Sequence, residues 1–179
     1  MAKKNGEDPS IPLASVREWA TNSKLFRHVG QLQLFVGKHC DHMNHTRDER
    51  DCWLMVQAAS DDNHAPLMMY CLKLWWGNGC EETNLFLAKY SLSQKNWQGY
   101  SFTKTHYASD FVSAHMAICA ALETLSRQPE MTVTVYDNAG FWEKRQASEL
   151  VRELDGWNEY LEKASELLRK RFHHSKMRD

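Results

Sequence analysis

The spacing of apolar residues changes near residue 109, and this change constrains the fold more than any other feature of the sequence. Before it, short segments that either alternate apolar with polar residues or are continuously apolar indicate strands. After it, Val112, Met116 and Cys119 recur at helical spacing, and alternation returns only in residues 131–136. Strands followed by helices are typical of a sheet with helices packed on it. The sequence therefore predicts an α+β (α/β-like) fold with a mixed, mainly antiparallel sheet, one central helix and an amphipathic helical C-terminus.

Short turns separate most of the earlier strand candidates. These candidates are residues 31–36, 52–59, 66–76, 84–92 and 97–103. Gly77-Asn78-Gly79 is a strong turn signal between two of them. Short connections favour an antiparallel meander, which can cover one face of the sheet with apolar side chains.

The helical segments have recognisable starts and interruptions. We expect a first helix over residues 15–26 with Ser15 as N-cap, and a central helix over residues 109–125 with Ser109 as N-cap. Beyond residue 140, apolar residues follow the helical i, i+3, i+4, i+7 pattern. Asp155 and Gly156 interrupt this pattern and predict two helices or one kinked helix.

These elements predict one domain with flanking tails. Residues 1–12 are expected to be a disordered tail, residues 13–172 a single α+β domain whose helical C-terminal part covers about 140–172, and residues 173–179 a basic tail. The opening residues contain no apolar signal segment, and no apolar run approaches the ~18 residues of a membrane span. We therefore expect a cytoplasmic protein without a membrane partner, whose five cysteines are reduced.

The central helix and the strand after it carry a family resemblance. Residues 114–125 (AHMAICAALETL) and 132–138 (TVTVYDN) resemble the first helix and fourth strand of a ribonuclease H-like domain, and residues 100–105 (YSFTKT) occupy the place of its third strand. The resemblance covers about residues 67–168. It implies that Asp137 occupies the position of a catalytic aspartate.

The residues needed for ribonuclease H-like catalysis are largely missing. Nucleases of this family hold two divalent metal ions with about four carboxylates. Ala114 stands where the helix should carry a glutamate, and the strand at 67–76 contains no acidic residue. The resemblance therefore implies a non-catalytic nucleic-acid-binding or adaptor module in which Asp137 is a remnant. The alternatives are a protein-interaction or regulatory module that self-associates as a homodimer through its C-terminal helices, and a metal-dependent nuclease with relocated ligands.

Aromatic and basic residues provide candidate contacts for nucleic acid. Single-strand binders stack bases on aromatic rings and hold phosphates with cations. The candidates are Trp75, Trp76, Trp97, Tyr100, Lys104, Arg169, Lys170 and Arg171. The alternative is structural, because cross-strand aromatic pairs stabilise sheets and cations stabilise helix C-termini.

A segment rich in histidine and cysteine is the candidate metal site. His39, Cys40, His42, His45 and Cys52 are residue types that zinc prefers. The alternative is a solvated polar loop, so no cofactor is the first expectation, with zinc here or magnesium at Asp137 as the exceptions. Cys71 and Cys119 fall in apolar patterns and are interpreted as small core residues, and His115 as a polar residue of the helix.

Overall fold

A computed structural model describes residues 2–4, 8–36, 66–99 and 101–175, with side chains except those of Lys3 and residues 167–175. Four predictions lie wholly or partly outside the described residues: the strand over 52–59, the metal set His39, Cys40, His42, His45 and Cys52, Tyr100 as a nucleic-acid contact, and residues 176–179 of the basic tail. The chain divides into two compact units, Met1–Val135 and Tyr136–Asp179. The sequence alone did not predict a boundary at this point.

The first unit contains all the described strands and two helices. The strands are β1 (Ala2–Lys4), β2 (His28–Val29), β3 (Gln33–Val36), β4 (Met68–Trp75), β5 (Thr83–Lys89), β6 (Trp97–Gly99) and β7 (Met131–Val133). The helices are α1 (Ser10–Ser23) and α2 (Phe111–Ser126). The second unit contains α3 (Phe141–Lys144) and α4 (Ala147–Ser175).

The strands of the first unit form one sheet in the order β2-β4-β5-β6-β1-β7, and β3 also pairs with β4. Every pairing among the described strands is antiparallel. The turn between β4 and β5 contains Gly79 at φ +78°, where an added Cβ would lie 1.7 Å from the carbonyl oxygen of Tyr107. Glycine satisfies both the backbone angle and the close approach. The predicted α+β class with a mainly antiparallel sheet is confirmed.

The main core of the first unit is built from residues of helices α1 and α2 and from every second residue of the central strands β4 and β5. Leu72 and Leu74 of β4 and Leu85 and Leu87 of β5 are buried in this cluster. The helices contribute Leu13, Val16 and Ala20 from α1, and Ala117, Ile118, Ala121 and Leu125 from α2. Burying one such leucine side chain contributes about 1.5–3 kcal/mol, so this cluster is the main source of stability in the unit.

The intervening residues of β4 and β5 form a second, smaller core cluster. Met69, Cys71, Phe86 and Ala88 are all buried, with Phe35 and Tyr90 packed against them. Burial raises the pKa of the Tyr90 hydroxyl to about 12. Both sets of alternating residues are therefore buried, so β5 is covered on both faces from Thr83 to Ala88.

The N-terminal segment corrects the prediction of a disordered tail over residues 1–12. β1 lies in the sheet between β6 and β7, and the Lys4 ammonium group donates to a Glu130 carboxylate oxygen at 2.7 Å and to the Pro129 carbonyl at 3.2 Å. Helix α1 then begins at Ser10, five residues before the predicted start. Asp8 accepts hydrogen bonds from the Ser10 hydroxyl and backbone N–H, which lower the pKa of the Asp8 carboxyl.

The central helix lies close to its predicted bounds, but its N-cap is Asp110 rather than Ser109. The Asp110 carboxylate accepts from the Ser113 N–H at 3.0 Å, and the hydrogen bonds from Ser113 lower the pKa of Asp110. The C-terminal helix α4 differs from prediction in another way, because it continues through Asp155 and Gly156. Within the described part of the chain, no helix is long and apolar enough to cross a membrane.

Candidate functional site

Asp137 orders the turn that leads into α3. One oxygen of its carboxylate accepts from the Ala139 N–H at 2.9 Å, and the other accepts from the Trp142 N–H at 2.8 Å. Backbone N–H groups at the start of a helix require such acceptors. These bonds give Asp137 a structural role, and its interpretation as a remnant of a nuclease site stays a prediction.

Charged side chains fix the start of α4. Glu149 accepts hydrogen bonds from Lys144 at 2.9 Å and from Arg152. The bond from Lys144, with the positive charge of Arg152, lowers the pKa of the Glu149 carboxyl. The Arg145 guanidinium lies 4.2 Å above the ring of Trp142, a cation–π contact that joins α3 to the residue after it.

A row of apolar side chains, two of them exposed, runs along α4 in the second unit. Leu154, Trp157, Leu161 and Ala164 are separated by three, four and three residues, which places them on one face of the helix. Trp157 is 43% exposed and Leu161 is 57% exposed. We call these four residues the α4 stripe. The spacing is that of the a and d positions of a coiled coil, and Leu168 continues it in the sequence.

Polar contacts along α4 hold the stripe in place without covering it. The Trp157 indole N–H donates to Glu153 at 3.0 Å, and its ring meets Tyr160 edge-to-face with centroids 6.2 Å apart. On the opposite side of the helix, Lys163 donates to Glu159 at 2.5 Å. Trp157 is therefore anchored while part of its ring faces solvent.

The predicted nucleic-acid contacts on the sheet occupy different environments. Trp97 is 3% exposed and belongs to the main core, so the prediction that its ring stacks on bases is wrong. Trp75 is half-buried, and its indole N–H donates to the Cys80 carbonyl at 3.1 Å. Trp76 is half-buried against the main core. Trp97 and Trp76 therefore follow the structural alternative, in which the aromatic rings pack within the fold.

The predicted basic contacts lie in both units. Lys104 is exposed, with its ammonium group 5.6 Å from the ring centroid of the exposed Phe102 and 3.9 Å from a Glu81 carboxylate oxygen. Arg169, Lys170 and Arg171 belong to α4, but their side chains are outside the described part of the structure. Lys104 and these three residues therefore stay predicted contacts.

A histidine and a cysteine form a pair on α2 that the sequence interpretation missed. The ligand atoms of His115 and Cys119 lie within 4.8 Å of each other. The Thr105 hydroxyl is 3.2 Å from His115 Nδ1, and the Phe111 ring contacts the imidazole with centroids 5.6 Å apart. The available signal was the spacing of four residues, which places both side chains on one helix face.

The comparisons with other proteins give no family assignment. No protein-family model, no curated protein and no solved structure matches the chain.

Proposed function

We propose that this protein is an interaction module that self-associates through α4. The observation that carries this proposal is the α4 stripe, a row of apolar side chains at coiled-coil spacing that includes the exposed Trp157 and Leu161. Pairing two such helices removes the stripes from water, which is the main driving force for association. Tryptophan is also one of the residues that contribute most strongly to protein interfaces.

The charge of α4 supports an antiparallel pair of identical helices. Residues 147–162 contain five acidic residues and one basic residue, whereas residues 163–175 contain four basic residues and one acidic residue. In an antiparallel pair, the acidic part of each helix lies beside the basic part of the other. A parallel pair places like charges together, which is unfavourable and slows association.

Self-association is tested by sedimentation equilibrium over a range of protein concentrations. The chain mass is 20.9 kDa, and we expect the measured mass to approach twice this value as concentration rises. The double variant Trp157→Ala/Leu161→Ala is expected to weaken dimerisation by about 1,000-fold, since each protomer loses two hot-spot side chains of about 1 kcal/mol each. A constant mass of 20.9 kDa for the unchanged protein contradicts the proposal.

Two controls separate the stripe from general effects of substitution. Glu159→Ala/Lys163→Ala changes the opposite side of α4, and Leu92→Ala removes a leucine that is 91% exposed in the first unit. Both variants are expected to dimerise like the unchanged protein. Equal loss of dimer in the Leu92→Ala variant would place the interface elsewhere.

Nucleic-acid binding, the function implied by the ribonuclease H-like resemblance, is the second candidate. It is supported by one exposed pairing of a cation with an aromatic ring, that of Lys104 with Phe102. Binding of labelled DNA, RNA and hybrid duplexes across a salt series tests it. We expect affinity to fall as salt rises and to weaken in Lys104→Ala, whereas affinity independent of salt argues against phosphate contacts.

A further inference from the structure

We propose that His115 and Cys119 of α2 are two ligands of a thiophilic divalent metal ion of the zinc class. This inference is independent of self-association, because it concerns α2 in the first unit and not α4. The two ligand atoms are within 4.8 Å of each other. A zinc ion lies about 2.0 Å from a histidine nitrogen and about 2.3 Å from a cysteine sulfur, so both bonds form once side-chain rotation brings the two ligand atoms closer together.

The surroundings of His115 select the nitrogen that binds. The Thr105 hydroxyl lies 3.2 Å from Nδ1, and Phe111, one turn earlier on the helix, contacts the ring edge-to-face. Histidine ligands of metals are usually oriented by a hydrogen bond to the second ring nitrogen. Thr105 supplies this bond and assigns Nε2 as the ligand atom.

The pair is buried, and its ligand atoms determine the class of metal. Nε2 is inaccessible to solvent, and Cys119 is 4% exposed. One nitrogen and one sulfur ligand favour zinc and similar thiophilic ions over magnesium or calcium, which require oxygen ligands. The pair fills two of the four positions of a tetrahedral ion.

Each metal ion that binds releases one proton from the protein. The Cys119 S–H bond breaks, its proton goes to solvent, and the electron pair that remains on sulfur forms the bond to the metal. His115 binds through the lone pair of its neutral imidazole. The positive charge of the ion compensates for the burial of the thiolate. No atom changes its oxidation state, so no oxidant or reductant is required.

The experiment must separate this pair from the cysteines and histidines of residues 39–52. Titration of the full chain with Co²⁺ alone monitors the sulfur-to-cobalt charge-transfer band, which requires a bound thiolate. The unchanged protein is compared with a variant in which His39, Cys40, His42, His45 and Cys52 are all replaced by alanine. In that background, Cys119→Ala and His115→Gln test the proposed ligands. The matched control is Cys71→Ala, because Cys71 is also a buried cysteine that forms no disulfide.

We expect the alanine background to retain one thiolate-bound Co²⁺ per chain, and Cys71→Ala to leave it unchanged. Cys119→Ala should abolish the charge-transfer band, and His115→Gln should weaken Co²⁺ binding at least about tenfold. Zn²⁺ should displace Co²⁺ from every variant that binds Co²⁺. Absence of the band from the alanine background, or its persistence after Cys119→Ala, overturns the proposal. His115→Gln gives an independent test if Cys119→Ala fails to fold. Unchanged Co²⁺ affinity in the His115→Gln variant also overturns the proposal.

Discussion

At the residue scale, Gly99 is required by the distance between two backbones. A Cβ at this position would lie 1.7 Å from the carbonyl oxygen of Phe86, on the neighbouring strand β5. Gly99→Ala is therefore expected to lower the free energy of unfolding by about 3 kcal/mol or more, because a backbone atom cannot move aside as a flexible side chain can. Urea denaturation measures this change. The adjacent exposed variant Gln98→Ala serves as the control, and equal stability of the two variants would show that the strands separate easily.

Cys80 illustrates how burial controls reactivity. Desolvation, with a smaller contribution from the negative charge of Glu81, raises the pKa of the Cys80 thiol to about 11. At pH 8 only about one thiol in a thousand is then ionised, compared with about a tenth for an ordinary cysteine of pKa 9.0. We expect Cys80 in the folded protein to react with iodoacetamide at least about 100-fold more slowly than in urea, as measured by peptide mass spectrometry. Similar rates in both conditions would contradict the burial of this thiol.

The raised pKa of Cys80 also determines the sign of its effect on stability. Below the ordinary thiol pKa of 9.0, the group is protonated in both the folded and the unfolded protein. Between that value and about 11, the unfolded chain loses the proton while the folded chain retains it. The contribution of Cys80 to stability is therefore lost as the pH rises through this interval.

The candidate sites show what single residues reveal before a structure is available. Strand alternation allows Trp97 either a binding face or a place in the core, and only the folded structure shows that it is buried, with its ring against Tyr70. His115 and Cys119 have a spacing that was readable in the sequence. The third participant, Thr105, lies in the loop before the helix, and its hydrogen bond depends on the folded loop. Periodicity therefore identifies which residues share a helix face, but it does not identify the residues of other segments that contact this face.

At the element scale, local signals predicted the elements that local interactions stabilise. Helix α2 and the β4–β5 hairpin lie close to their predicted bounds, because their periodicity, capping and turn residues act within short distances along the chain. β1 was missed because Ala2-Lys3-Lys4 has no strand pattern, and its stability comes from β6 and β7, about 95 and 130 residues away.

In helix α4, the predicted interruption at residues 155 and 156 was wrong. Asp155 and Gly156 predicted an interruption, yet the helix continues, since glycine within a helix costs only about 1 kcal/mol relative to alanine. An added Cβ at Gly156 meets no atom within 4 Å. Gly156→Ala is therefore expected to raise helix stability by about 0.5–1 kcal/mol. Backbone amide hydrogen exchange around residue 156 measures the gain, and faster exchange in the variant would show a real break at this position.

At the scale of the whole molecule, the main core and the proposed interface belong to different units. All residues of the main core lie between Ala2 and Val133, within the unit Met1–Val135, whereas the α4 stripe lies in Tyr136–Asp179. A chain ending at Val135 therefore retains every residue of the main core, and we expect it to unfold cooperatively in urea. The same fragment is expected to sediment as a monomer at concentrations where the full chain dimerises, because it lacks the stripe. A folded fragment that still dimerises as tightly as the full chain would assign self-association to the first unit, and the two outcomes can be read from the same sedimentation experiment.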